Sequence, residues 1–249
     1  MSGQNRTPHG RYGTVPEWAG AVPGVFGRDP LPDRLPRRAE LWLVTPRVPG
    51  PYGGTALLDA QERRTAAGLR KAADRGMYVA AHAALRVLAG AYLGVEAAAV
   101  SFTREDCPCC GAPHGRPALA PPSPPVHFSL SHAAHVALVA FAPTAVGADI
   151  EPVPPLSTVR DAACVLHPAE QGELSRLRGL ERSAAFARCW TRKEAYVKGT
   201  GEGVAGPGFA ATVVGTGERP RPVPGWTITD VQVPAPYAAA CAVRDPVST

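Results

Sequence analysis

The chain has 249 residues, a formal net charge of +5 and a hydrophobic fraction of 45%. This length suits one large domain or two small ones, and the composition is typical of a globular protein. No apolar run is long enough to cross a bilayer, and the N-terminal residues lack the apolar segment of a secretory signal, so we expect a cytoplasmic protein with no membrane partner. The charge favours anionic partners such as phosphates or acidic proteins, but it does not require nucleic acid.

The chain pattern predicts an arm followed by helices and strands. Residues 1–36 are rich in Gly, Pro and Arg without a period, which indicates a loose or wrapped arm rather than a core element. A short and a long helix are expected within 55–94, and further helices within 167–179 and 181–203. Strands are predicted at 39–46, 97–104, 126–132, 136–142, 146–152, 209–214, 226–233 and 237–243.

This order of elements predicts an α+β fold. A proline-rich linker at 152–155 indicates a boundary near residue 150. We therefore expect two similar lobes, at 37–150 and 151–249, each with an antiparallel sheet and a long helix. No sequence repeat is strong enough to prove that similarity.

The segment G-A-D-I-E carries two carboxylates on one face of a predicted strand. Asp149 and Glu151 are two residues apart, so their side chains point the same way. Neighbouring carboxylates repel each other unless a cation neutralises them, and Mg²⁺ is commonly held by one or two carboxylates together with phosphate oxygens. The alternative is a solvent-facing pair at the end of a strand.

The segment C-W-T-R-K-E-A-Y-V-K-G-T-G-E-G places a Trp, a Glu and a Lys four residues apart. Trp190, Glu194 and Lys198 would form one stripe along a helix. Glu194 is a candidate third metal ligand, and Lys198 is a candidate phosphate-binding group or proton donor. A simple helical ion pair between them is the alternative. Trp190 is interpreted as a packing residue, and the glycines as the end of the helix and a turn.

Two earlier segments carry further polar groups. Ser131 and His132 end a predicted strand, where they could bind phosphate oxygens or form a capped turn; no hydrolase elbow accompanies them. Arg116, between Gly and Pro, is a cation on a stiff loop suited to phosphate.

Cysteines gather in the loop before Arg116. In the cytoplasm they should be mostly reduced. Cys107 and Cys110 form one C-x-x-C, and His114 could be a third ligand, but a structural zinc site needs four and no second C-x-x-C follows. A zinc-knuckle binding module remains an alternative, whereas the surrounding Pro and Gly disfavour a redox motif.

Four motifs in chain order resemble the Sfp-type 4'-phosphopantetheinyl transferases: H-G-R-P, F-S-L-S-H, G-A-D-I-E and W-T-R-K-E-A-Y-V-K-G-T-G-E-G. The resemblance covers roughly residues 39–245. It implies the two-lobed, pseudo-dimeric fold of that family in a monomer, with the active site between the lobes. It also implies transfer of phosphopantetheine from coenzyme A to a serine of an apo acyl or peptidyl carrier protein. Such carriers serve polyketide, nonribosomal peptide or fatty acid synthesis, and adenosine 3',5'-bisphosphate is released.

The resemblance also assigns roles to residues. Asp149, Glu151 and Glu194 would hold Mg²⁺, for which Mn²⁺ can substitute, or Glu194 would act as the general base. Lys198 would contact the phosphates of coenzyme A and assist departure of the nucleotide. The other residues implied in coenzyme A binding are Lys71, Arg75, Arg116, Pro117, Ser131 and His132.

Three residues depart from the family pattern without removing a chemical group: Ser129, Ala148 and Cys109. The main rival is a Mg²⁺-dependent nuclease or phosphodiesterase. Such sites commonly carry the Glu and Lys two residues apart on a strand. Glu194 and Lys198 are four apart in a helical pattern, which argues against that rival.

Overall fold

The computed structural model describes residues 21–46, 54–122 and 126–246. The first 20 residues of the predicted arm lie outside the described residues, as do 47–53, 123–125 and 247–249. Within the described ranges, no helix combines the length and the apolar character needed to cross a membrane.

The described residues form nine β-strands and six α-helices. In order they are β1 (Gly24–Val25), β2 (Glu40–Val44), α1 (Ala60–Gly68), α2 (Ala72–Leu93), β3 (Phe102–Arg104), β4 (Pro117–Leu119), β5 (His127–Ala133), β6 (Val136–Ala142), β7 (Val146–Pro152), α3 (Leu156–Ala162), α4 (Pro168–Ser175), α5 (Gly179–Thr200), α6 (Pro207–Ala211), β8 (Trp226–Asp230) and β9 (Tyr237–Arg244).

The first sheet has the order β1-β2-β6-β5, and all its pairs are antiparallel except the short β1–β2 contact. Helix α2 packs on this sheet through a stripe of apolar residues that includes Leu85 and Leu88, which share a core with Val139 and Phe141. The helix ends at Gly94, whose φ of +67° suits the left-handed cap. Strands β3 and β4 form a separate ribbon.

The second sheet is antiparallel, with the order β7-β9-β8. Helix α5 packs across β7 and β9. The two sheets meet where β5 approaches β7, and the backbone N–H of Ala148 donates a 3.0 Å hydrogen bond to Ser129 Oγ. The serine that departs from the family pattern therefore joins the two sheets.

The predicted α+β class with antiparallel sheets is confirmed. The four-stranded and the three-stranded sheet each pack against one 22-residue helix, α2 and α5 respectively. The similarity of the two lobes and the boundary near residue 150 stay predictions. Strand β7 runs through that boundary and pairs with β9.

Three local predictions were wrong or incomplete. The segment 209–214 was expected to be a strand, but 207–211 is helix α6, because Pro207 at its first turn favours a helical start. Helix α3 after the proline-rich linker was not predicted. Only 102–104 of the strand expected at 97–104 is extended, after a 3₁₀ turn of three alanines.

The described part of the arm, residues 21–36, is wrapped on the protein and reaches both sheets. Phe26 is buried in the core beneath α2, so this part of the arm does supply a core residue. The backbone of Ala21 exchanges hydrogen bonds of 2.8 and 2.9 Å with Asp230 and Gln232 beside the second sheet. The arm therefore ties the two halves together.

Candidate functional site

Helix α5 lies directly against strand β7 because the contact point has no side chain. A Cβ at Gly147 would stand 1.9 Å from the carbonyl oxygen of Ala195 and 2.4 Å from the backbone nitrogen of Gly199. Any other residue would force the helix away from the strand. This close approach brings Glu194 and Lys198 of the helix next to the carboxylates of β7.

Asp149 is the centre of the resulting cluster. Its side chain is 1% exposed, and its Oδ1 accepts a hydrogen bond of 2.7 Å from Ser131 Oγ and one of 2.6 Å from Lys198 Nζ. Lys198 Nζ also donates to Ser131 Oγ at 3.1 Å. The stripe on α5 is therefore not a plain helical ion pair, because Lys198 pairs with a carboxylate of the neighbouring strand.

The other two carboxylates of the cluster hold protons unusually well. The pKa of Glu151 is raised to about 7, first by burial and then by the charge of Asp149, while Lys198 opposes the rise. Burial and Asp149 also raise the pKa of Glu194, against the same ammonium. One ammonium ion thus faces three acidic groups, and the site carries an excess of negative charge.

A divalent cation fits this cluster. Asp149 Oδ2 is buried and has no hydrogen-bond partner, which leaves one acceptor free for an ion. Carboxylate oxygens are the ligands that Mg²⁺ prefers. The nearest oxygens of Asp149, Glu151 and Glu194 do not all lie within 4.8 Å of one another. The cluster is therefore looser than a closed metal cage.

Ser131 and His132 point in opposite directions, as neighbours on a strand must. Ser131 is buried against Asp149, whereas His132 is exposed on the other face. Although His132 is exposed, partial loss of water lowers its pKa, and the charges of His82 and Lys198 add to this, while Asp74 opposes it. The sequence did not single out His82 or Asp74; both belong to the first half of α2.

Lys71 and Arg75 are exposed at the start of α2. Lys71 is the residue that precedes the first turn, and Arg75 Nη1 donates to the carbonyl of Leu69 at 3.0 Å. In the described structure, no hydrogen bond or ion pair joins either residue to the carboxylate cluster. Their role as coenzyme A ligands stays a prediction.

Arg116 binds the protein itself. Its guanidinium donates to both carboxylate oxygens of Glu105 at 2.6 and 3.0 Å, and Nη1 donates to the carbonyl oxygen of Gly199 at 2.8 Å. Burial, with Arg116 nearby, lowers the pKa of His127. Glu105 was not expected, although pairing of residues 104 and 117 in the β3–β4 ribbon places it opposite Arg116. Pro117 begins β4 and is exposed.

Other polar residues of α5 are structural. Arg192 binds Asp230 through two hydrogen bonds of 2.6 and 2.7 Å. Lys193 Nζ lies 2.8 Å from Glu170 Oε2, and both side chains are fully buried. Trp190 confirms its predicted packing role. Its ring stacks on one phenylalanine at 5.5 Å and meets the edge of another at 5.1 Å. Of these three cations, Lys198 is the one that pairs with a carboxylate of β7.

Residues 145–239, which include β7, α5, β8 and the start of β9, match the model of the 4'-phosphopantetheinyl transferase superfamily. The chain is 35% identical over 135 residues to the 4'-phosphopantetheinyl transferase HetI of Nostoc sp., an alignment covering 53% of this chain and 54% of that protein. It is 27% identical to a 4'-phosphopantetheinyl transferase of Bacillus subtilis, over 49% of this chain and 51% of the relative. It is 39% identical to the 4'-phosphopantetheinyl transferase AcpT of Salmonella typhimurium, over 35% of this chain and 46% of the relative.

The alignments thus span about half the length of these curated relatives. The residues that match the family model include the three acidic residues and the lysine of the cluster. The order of the motifs, the fold and these similarities agree. The chain is thus similar to 4'-phosphopantetheinyl transferases, and its residues 145–239 match the model of that superfamily.

Proposed function

We propose that this protein transfers the 4'-phosphopantetheine group of coenzyme A to a serine of an apo acyl or peptidyl carrier protein. The observation that carries the proposal is the meeting of Asp149, Glu151, Glu194 and Lys198 at the contact of β7 and α5, within the region that matches the family model. Three acids and one partly exposed ammonium ion suit a metal-bound pyrophosphate and a nearby nucleophile.

The acidic residues would hold the metal. Mg²⁺ bound by Asp149, Glu151 and Glu194 would neutralise negative charge on the pyrophosphate of coenzyme A, and Mn²⁺ has the same ligand preference. The free Oδ2 of Asp149 and the raised pKa values of the two glutamates support this assignment. The ion pair with Lys198 neutralises part of the negative charge of Asp149.

The bond changes follow from the substrates. The carrier serine oxygen attacks the β-phosphorus of coenzyme A, the bond from that phosphorus to the bridging oxygen breaks, and adenosine 3',5'-bisphosphate leaves. Alternatively, Asp149 and Glu151 alone would hold the metal and Glu194 would remove the serine proton, because its raised pKa makes an unbound carboxylate a stronger base than an exposed glutamate. Lys198 Nζ, with a side chain 32% exposed, would stabilise the charge that develops on the departing phosphate.

Coenzyme A would also contact the first half of the chain. Ser131 donates to Asp149 and accepts from Lys198, so we propose that it positions these groups next to the phosphates. His132 and the exposed cations Lys71 and Arg75 would bind the remaining phosphate and the nucleotide. Arg116, held in place by Glu105, would bind a phosphate of coenzyme A, and Pro117 would shape the adenine side.

The carrier protein is proposed to be acidic, because the net charge of +5 would attract it. We further propose that a monomer suffices, since one chain supplies Ser131 from β5 and the acids and lysine from β7 and α5. Carriers of polyketide, nonribosomal peptide and fatty acid synthesis are all candidates, and the cytoplasm, where such carriers act, is the proposed location.

The test is the intact mass of purified apo carrier proteins after incubation with this protein, coenzyme A and Mg²⁺. The proposal expects the mass of one phosphopantetheine group to be added, and expects no gain without a divalent metal or with Glu194→Gln. Glu181→Gln, an exposed change at the start of the same helix, should leave transfer intact. Folded protein that modifies none of several acyl and peptidyl carriers would contradict the proposal.

A further inference from the structure

A second cluster of metal-ligand atoms lies outside the proposed transfer site, in the loop between β3 and β4. The ligand atoms of Cys107, Cys110 and His114 all lie within 4.8 Å of one another. Cys110 Sγ is 3.1 Å from His114 Nε2. We propose that these three residues bind a Zn²⁺ ion, which holds this loop against the end of helix α5.

Backbone hydrogen bonds hold the loop in a tight turn around Cys107. The carbonyl of Cys107 accepts from Gly111 N at 2.8 Å, and its own N–H donates to Ala112 O at 2.8 Å. Gly111 has a φ of +74°, which closes the turn. These backbone contacts fix the turn that brings the two sulfurs and the imidazole of His114 together.

The types of ligand select the metal. Two thiolates and an imidazole are borderline-soft donors that favour Zn²⁺, whereas the oxygen donors of the β7–α5 cluster favour Mg²⁺. The fourth position of a tetrahedral site is left to solvent, because Cys110 and His114 are exposed. Cys109 is also exposed, but its sulfur is not part of the compact group.

The folded loop supplies a ligand that the sequence spacing did not reveal. No second C-x-x-C follows Cys107 and Cys110, but the turn places the His114 ring next to the Cys110 sulfur. Three protein ligands with the fourth position open to solvent form a recognised type of zinc coordination. His114 therefore supplies one of the two ligands that the first C-x-x-C lacks, and solvent supplies the other.

The position of the loop explains what the metal would do. The loop leads directly into Arg116, which bonds to Gly199 in the last turn of α5. A Cβ at Gly201 would lie 3.6 Å from the ring of Pro108, so the loop also packs on the glycine that ends the helix. Lys198 is one residue before Gly199. Zinc in this loop would thus fix the end of the helix that carries the proposed phosphate-binding lysine.

The first test is the metal content of the purified, untagged protein after gel filtration. We expect about one zinc ion per chain in the wild type. Cys110→Ser and His114→Ala, at exposed positions, should lose most of it while keeping the far-ultraviolet circular dichroism of the wild type. Cys164→Ser, another exposed cysteine, and Cys109→Ser should keep their zinc.

Cobalt gives an independent reading of the ligands. Co²⁺-loaded wild type should show a thiolate-to-cobalt charge-transfer band that is weakened in Cys110→Ser and unchanged in Cys164→Ser. The inference is overturned if the wild type neither retains zinc nor takes it up from a competing chelator. It is also overturned if zinc content is equal in the wild type, Cys110→Ser and His114→Ala. Neither measurement depends on transferase activity.

Discussion

Glu151 should make the metal-free protein less stable as the pH rises. Its pKa in the folded protein is about 7, above the ordinary value of 4.5 that the unfolded chain would show. The folded state therefore binds this proton more tightly, and that contribution to stability is complete below about pH 4.5 and is lost as the pH rises through about 7. The neutral amide of Glu151→Gln should remove this loss.

The size of the effect follows from the pKa difference. A change from 4.5 to about 7 corresponds to about 3 kcal/mol when the carboxyl is forced to ionise. Glu151 is half-buried, and solvent screening reduces the expectation to about 1–2 kcal/mol. In magnesium-free buffer at about pH 8.5, the free energy of unfolding of Glu151→Gln should exceed that of the wild type by this amount.

Urea unfolding at about pH 5 and about pH 8.5, followed by circular dichroism, measures the effect. Glu181→Gln is the matched control, because it removes an exposed carboxyl of the neighbouring helix. Adding Mg²⁺ at the higher pH should stabilise the wild type more than Glu151→Gln, since the ion binds the ionised group. If the wild type and Glu151→Gln lose stability in parallel between the two pH values, the electrostatic reasoning about this cluster is wrong.

Three further changes test other contacts. Gly147→Ala should lower the free energy of unfolding by about 3 kcal/mol or more, because its Cβ would collide with helix α5. Gly76→Ala, in open space on α2, should change it by at most about 1 kcal/mol. Thermal and urea unfolding compare the two variants, and equal effects would refute the close-contact argument. Lys198→Ala should reduce kcat for carrier modification by about 10²–10³-fold, measured under saturating coenzyme A, and an unchanged kcat would remove Lys198 from the reaction. Arg116→Ala should lower the free energy of unfolding by about 1–3 kcal/mol, because Glu105 and the Gly199 carbonyl lose their partner. Unchanged stability together with a raised KM for coenzyme A would instead identify Arg116 as a phosphate ligand and not as a structural residue.

Sequence spacing predicted the position of side chains correctly where the residues concerned lie on one strand or one helix. The two-residue spacing of Asp149 and Glu151 requires a shared face on a strand, and both carboxylates enter the cluster. The four-residue spacing of Glu194 and Lys198 requires a shared stripe on a helix, and both residues face β7. Glycine after the helix correctly predicted its end, since Gly201 has a φ of +84°.

Contacts between distant segments could not be read from spacing. Lys198 pairs with Asp149 rather than Glu194, because Gly147 lets the helix lie directly on the strand. Arg116 was expected to be available to phosphate, but the β3–β4 pairing places Glu105 opposite it. The proposed zinc ligands also depend on a turn, since only the folded loop shows that His114 lies next to Cys110.

The most direct test of the proposed reaction is the release of adenosine 3',5'-bisphosphate from coenzyme A in the presence of Mg²⁺, measured together with carrier mass. Transfer predicts one nucleotide released for each carrier modified, and none with a carrier whose acceptor serine is replaced by alanine. Release that continues without any apo carrier would indicate a phosphodiesterase and contradict the account. Absence of release with several apo carriers, from folded and metal-loaded protein, would contradict it equally.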